Sequence, residues 1–244
     1  MGSLYNCQVA GHTEGLICRV ISCKRIAEYQ IDAYFTALAR YQLLKMTDYV
    51  VFPVGVCLDE ESSFLTVIEP KQTSLYSVLH ACDRLSVATH SRSTKINGSI
   101  QGHTIAPFMK RAISIGIARI LNSLHSIMQP VYHGHLSSHN VFVELPENEE
   151  ALNMDWSTLQ QKVVVRLGQA EMKDLAKYAS MFYKYRPASV WSSPEVLKQK
   201  HGMLEPTSEM DVYSFGLLLW ELWHEKLPFD GKLKEAMEVV LDED

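Results

Sequence analysis

Three histidines fall within the short stretch His133-Gly134-His135-Leu136-Ser137-Ser138-His139-Asn140. An imidazole titrates near neutrality, so each could take up or give up a proton at physiological pH. Their H-x-H-x-x-x-H spacing also raises zinc, which favours four ligands in a tetrahedral array. No fourth ligand stands beside them, and three loop histidines without a metal account better for the pattern. Asn140 adds one neutral amide oxygen, too little for a hard divalent cation, which needs anionic oxygens. Lys24 ends the run Ile21-Ser22-Cys23-Lys24, where it could meet a phosphate or simply close a strand as an ordinary surface lysine.

The segments that must hold these groups have clear patterns. The histidine loop runs into apolar Val141-Phe142-Val143, as a loop feeding a strand does. Trp191-Ser192-Ser193-Pro194-Glu195 comes later, then Asp211-Val212-Tyr213-Ser214-Phe215-Gly216-Leu217-Leu218-Leu219-Trp220-Glu221-Leu222 and Pro228-Phe229. The Asp211 segment is a helix apolar on almost every side, which belongs inside a core. It is too short between charges to span a bilayer. Taken alone, Asp211 reads as an N-terminal cap.

Taken together, the order and spacing of these segments resemble a protein kinase. The loop is similar to H-R-D-L-x-x-x-N, Trp191 to Glu195 to the A-P-E end of an activation segment, and the Asp211 helix to the central C-lobe helix. Within the family the chain is similar to pseudokinases of the tyrosine-kinase-like group. The resemblance implies an α+β fold of two lobes around a cleft. A β-rich N-lobe with one helix is expected over residues 1–70 and a mainly helical C-lobe over 71–244, with inserts at 82–104 and 145–161. The first insert is polar, and the second is expected as an extended connection before a strand at Lys162 to Arg166.

The resemblance also assigns roles. His135 stands where the catalytic Asp would accept the substrate proton, and Ser137 replaces the usual Lys. Lys24 loosely matches the lysine of V-A-I-K. Its glutamate partner is missing: Leu38 stands there, and residues 29–59 contain no Glu. Arg166 is expected at the Asp of D-F-G, a charge reversal at a metal ligand, with Asn140 as the second ligand. The nucleotide-binding candidates are Lys24, Ile68 (gatekeeper), Glu69 (hinge), Asn140 and Arg166. Structural support is expected from His133, Glu195 and Asp211, the last bonding to the loop backbone.

Gly2-Ser3-Leu4-Tyr5 resembles the end of the phosphate-covering loop, so a first strand is expected upstream of Met1. Further helices, one bringing an Arg to Glu195, are expected after Asp244, since the last Arg is Arg186. If Glu195 is buried, the missing partner costs about 3–5 kcal/mol.

The 244 residues are 47% apolar and 21% charged, ordinary values for a globular protein with a core. A net charge of -5 argues against nucleic acid or an anionic membrane as partner. Cys7, Cys18, Cys23, Cys57 and Cys82 are scattered without a C-x-x-C pair, which suits reduced thiols and a cytoplasmic setting. The expectation is a catalytically inactive kinase-like module, a scaffold or allosteric partner of an active kinase or signalling complex. No cofactor is required, ATP is a candidate ligand, and Mg²⁺ is not expected. A weak phosphotransferase and a metal-independent nucleotide switch are the alternatives.

Overall fold

The computed structural model describes residues 3–9, 15–22, 32, 35, 36, 39, 48–59, 61, 64–80, 105–168, 188–198, 204 and 206–241. Strands come first in the chain: β1 (Ser3–Cys7), β2 (Leu16–Ser22), β3 (Gly55–Asp59) and β4 (Phe64–Pro70). They form one antiparallel sheet in the order β1-β2-β4-β3. Alternation along β4 buries Leu65, Val67 and Glu69 and leaves Phe64, Thr66, Ile68 and Pro70 on the other face, the period-2 pattern of a strand. Asp32, Phe35, Thr36 and Ala39 are helical, within the lobe for which one helix is expected.

Helices dominate from residue 75 onward. Helix α1 (Leu75–His80) follows β4 closely. Helix α2 (Pro107–Ser126) begins with proline in its first turn, where a missing N–H costs no intrahelical bond. Its buried Met109, Ile113, Ile117, Ile120, Leu121 and Leu124 recur at helical spacing. Each buried aliphatic chain of this kind stabilises by about 1.5–3 kcal/mol. Helix α6 (Ser208–His224) is opened by Thr207, whose hydroxyl accepts from Met210 N, and closed by Glu225 in a left-handed conformation. Helices α2 and α6 pack together, and Leu218 and Leu222 join the α2 residues in one core.

A two-stranded ladder lies against this core. Strands β5 (Val141–Glu144) and β6 (Val164–Leu167) pair antiparallel, with Phe142 opposite Arg166. Val141, Val143, Val165 and Leu167 turn inward to the helices. Residue 116 of α2 must be glycine-sized, because a Cβ there would sit 2.8 Å from Val165 Cγ2. One edge of the ladder bridges to Ser74 and the other to Val50.

The 145–161 insert differs from the extended connection expected. It holds α3 (Asn148–Leu152) and α4 (Trp156–Lys162). Asp155 caps α4 by accepting from Thr158 N at 3.0 Å, and Ala151 and Leu159 are buried in the core. Arg111 of α2 lies 4.8 Å over the Trp156 ring. Each helix has fewer than two turns, too few for a periodic signal to emerge in the sequence. Helix α5 (Pro194–Lys198), a 3-10 turn (Pro228–Gly231) and α7 (Leu233–Leu241) complete the described chain, and the 82–104 insert lies outside the described residues.

Candidate functional site

The loop between α2 and β5 is held from below by α6. Asp211, almost fully buried, accepts from His133 N at 2.7 Å and from Gly134 N at 2.7 Å. His125 Nε2, from the last turn of α2, donates to the same carboxylate at 2.9 Å. Gly134 sits at φ 69°, a conformation that favours glycine and turns its N–H toward Asp211. The buried His133 ring donates through Nε2 to Gly168 O at 2.9 Å. Asn140 donates from Nδ2 to His135 O at 2.8 Å, and Gly168 N donates to Asn140 O at 2.8 Å. The loop is thus locked at both ends, and His133, His135 and Asn140 come together around one turn.

This geometry bears on three of the expected positions. Arg166 does not meet the loop. It lies within β6 opposite Phe142, and its guanidinium pairs with Glu144, farther along β5 from Asn140. The strand continues through Leu167, so Gly168 is the residue beside Asn140 and His133, and the chain then runs into Gln169, outside the described residues. The metal-ligand position therefore cannot be assigned to Arg166. Second, Glu69 turns its side chain to Arg19 at 3.1 Å, both nearly fully buried, so that carboxylate is committed within the sheet. Breaking such a pair from one side strands a buried charge, at about 3–5 kcal/mol. Third, Glu195 is exposed on α5 among the described residues, so the cost of burying it unpartnered does not arise there.

Ile68 lies in β4 between Cys18 and Gly55, partly exposed. Lys24 and Leu38 lie outside the described residues. Among the described residues no group of three His, Cys, Asp or Glu could hold a metal ion, the three loop histidines included. A small cavity between the loop and residues 189–196 is lined by His135, Leu136, Ser189, Ser192, Ser193 and Ser214. The buried Ser193 hydroxyl there finds no partner among the described residues.

One group of residues escaped the sequence reading. Glu221, fully buried in α6, binds His80, Ser138 and Trp191 through its carboxylate. Burial pushes this carboxyl above the usual range. Partial desolvation against Tyr76 and Trp191, then the neighbouring His80, lowers the His139 imidazole from its usual range. A signal existed: one acidic residue in the apolar run Leu217 to Leu222 implies a buried, partnered charge.

Comparison with known proteins agrees with this architecture. A family model described as protein tyrosine and serine/threonine kinase matches residues 2–243. The mouse serine/threonine-protein kinase TNNI3K is 30% identical over 189 residues, 77% of this chain and 18% of that protein. The probable serine/threonine-protein kinase roco8 of Dictyostelium discoideum is 33% identical over 119 residues, 47% of this chain and 5% of its own length. The inactive protein tyrosine kinase pTKL of Plasmodium berghei is 30% identical over 87 residues, 30% of this chain and 6% of its own. The chain thus spans under a fifth of the length of these relatives.

Proposed function

The chain belongs to the protein kinase family, and on that premise we propose that it is a pseudokinase, a kinase-shaped module that binds a protein partner without transferring phosphate. The observation that carries this reading is the loop. Asp211 and His133 support its frame, yet His135 occupies the place of the catalytic base and no carboxylate lies in the loop. Phosphoryl transfer depends on metal ions and positioned charge more than on covalent chemistry by the protein. An imidazole can take a proton, but it does nothing for the charge on the transferring group. Asn140 offers one neutral oxygen, its amide N–H being bonded to His135 O. Between Asn140 and Glu195 the sequence has two aspartates: Asp155 caps α4, and Asp174 lies outside the described residues.

No cofactor is required in this reading. ATP remains a candidate ligand through Lys24, Mg²⁺ has no role, and Arg166, engaged with Glu144, is no longer offered as a phosphate contact. The partner is a protein, an active kinase or a signalling complex, in the cytoplasm, with neither nucleic acid nor membrane as target. No helix among the described residues is long and apolar enough to cross a membrane.

Incubation with γ-labelled ATP and Mg²⁺ or Mn²⁺ tests the reading, and no transfer above background is expected. Turnover that disappears in both Lys24→Ala and His135→Ala would sink it. Residual transfer is the second reading, favoured by relatives that carry the name of serine/threonine kinases. Melting temperature with ATP, with and without EDTA, separates the nucleotide switch: a metal-independent rise supports it and no rise removes it.

A further inference from the structure

Four parts of the chain meet at the Glu221 carboxylate. Its Oε1 accepts from His80 Nε2 and from Ser138 Oγ, each at 2.8 Å, and Oε2 accepts from Trp191 Nε1 at 2.7 Å. His80 ends α1, Ser138 lies in the histidine loop, Trp191 leads into α5, and Glu221 belongs to α6. The backbones are tied at the same place: Tyr76 N donates to Ser138 O at 2.9 Å and Ser214 Oγ to Trp191 O at 2.7 Å. His139 stacks on Tyr76 at 3.9 Å and meets the Trp191 ring edge-on at 5.7 Å.

A carboxylate removed from water must be balanced in charge as well as hydrogen-bonded. Among the described residues His80 is the group in contact that can supply the balancing charge. Tyr76 of α1 and His139 of the loop face the same cluster, and the 188–198 segment contributes the uncharged Trp191 indole. Just past the end of α6, Glu225 is engaged by Lys110 of α2 at 2.7 Å, and near its start Asp211 is engaged by His125. Lys110 and His125 are thus engaged by other carboxylates, which among the described residues leaves His80 beside Glu221.

We propose that His80 and Glu221 share a single proton and form a pH-operated latch on the Trp191 segment. With the proton present the buried site is neutral, and the indole is held. Loss of the proton leaves one uncompensated negative charge in the core, and residues 188–198 loosen from the loop and α6. The direction agrees with burial raising the Glu221 carboxyl: stability is held at low pH and lost as pH rises through the folded-state value. The latch operates whether or not the cleft transfers phosphate.

Hydrogen exchange of residues 188–198 in the full chain, corrected for the intrinsic pH dependence of exchange, tests it between pH 6.5 and 9. Protection is expected to fall severalfold as pH rises and to stay level in Glu221→Gln. His80→Gln, which keeps a donor but cannot hold the charge, is expected to shift the fall toward acid. A level wild-type profile, or a Glu221→Gln profile that falls as the wild type does, overturns the latch. If Glu221→Gln does not fold, an unshifted midpoint in His80→Gln overturns it equally.

Discussion

Asp211 satisfies two backbone donors and an imidazole with one buried carboxylate. Removing it would take this acceptor from the N–H groups of buried His133 and half-buried Gly134, and an unmet buried donor costs about 1–3 kcal/mol. Asp211→Ala is therefore expected to lower unfolding stability in urea by about 3 kcal/mol. A loss below about 1 kcal/mol would mean that water or another group takes over those donors. The role of Asp211 was legible because the resemblance placed it and the neighbouring motifs fixed its register. Arg166 was not legible in the same way. A run of three valines tells where a strand lies but not at which residue it ends, and the structure carries β6 past Arg166.

At the scale of elements, long helices were readable and short ones were not. Over five turns α2 repeats its apolar residues often enough to define a face, whereas α3 and α4 depend on a cap and on burial against a core that sequence alone does not display. The α2–β6 contact gives a test of packing. Gly116→Ala gains about 1 kcal/mol in helix propensity, but the new methyl would crowd Val165. Overpacking commonly costs about 1–3 kcal/mol, so a net loss is expected. In a Val165→Ala background the same change should become neutral or stabilising. A double-mutant cycle by urea unfolding measures that coupling, and additivity within about 0.5 kcal/mol would deny the contact.

At the scale of the whole molecule, the sheet from residues 3–70 and the helices from residue 75 onward meet through the ladder that links Ser74, β5, β6 and Val50. The site at this junction is expected to respond to acid through His139. Its folded-state pKa is lowered by partial desolvation and by His80, so its contribution to stability is present above about pH 6.5 and is lost as pH falls. His139→Phe keeps a ring against Tyr76 without the charge. Its melting temperature is expected to decline less than the wild type between pH 6.5 and 5, and parallel curves would remove His139 from the acid response. The sequence by itself determined the order of the strands and the long helices, the supported loop, and the lack of a carboxylate between His133 and Asn140. It did so because motif spacing and local periodicity are properties of neighbouring residues. Only the tertiary structure decided that Glu69 meets Arg19 and that His80, Ser138 and Trp191 converge on Glu221. These contacts join residues far apart in the chain, and periodicity says which face of an element turns inward but not what it will touch there.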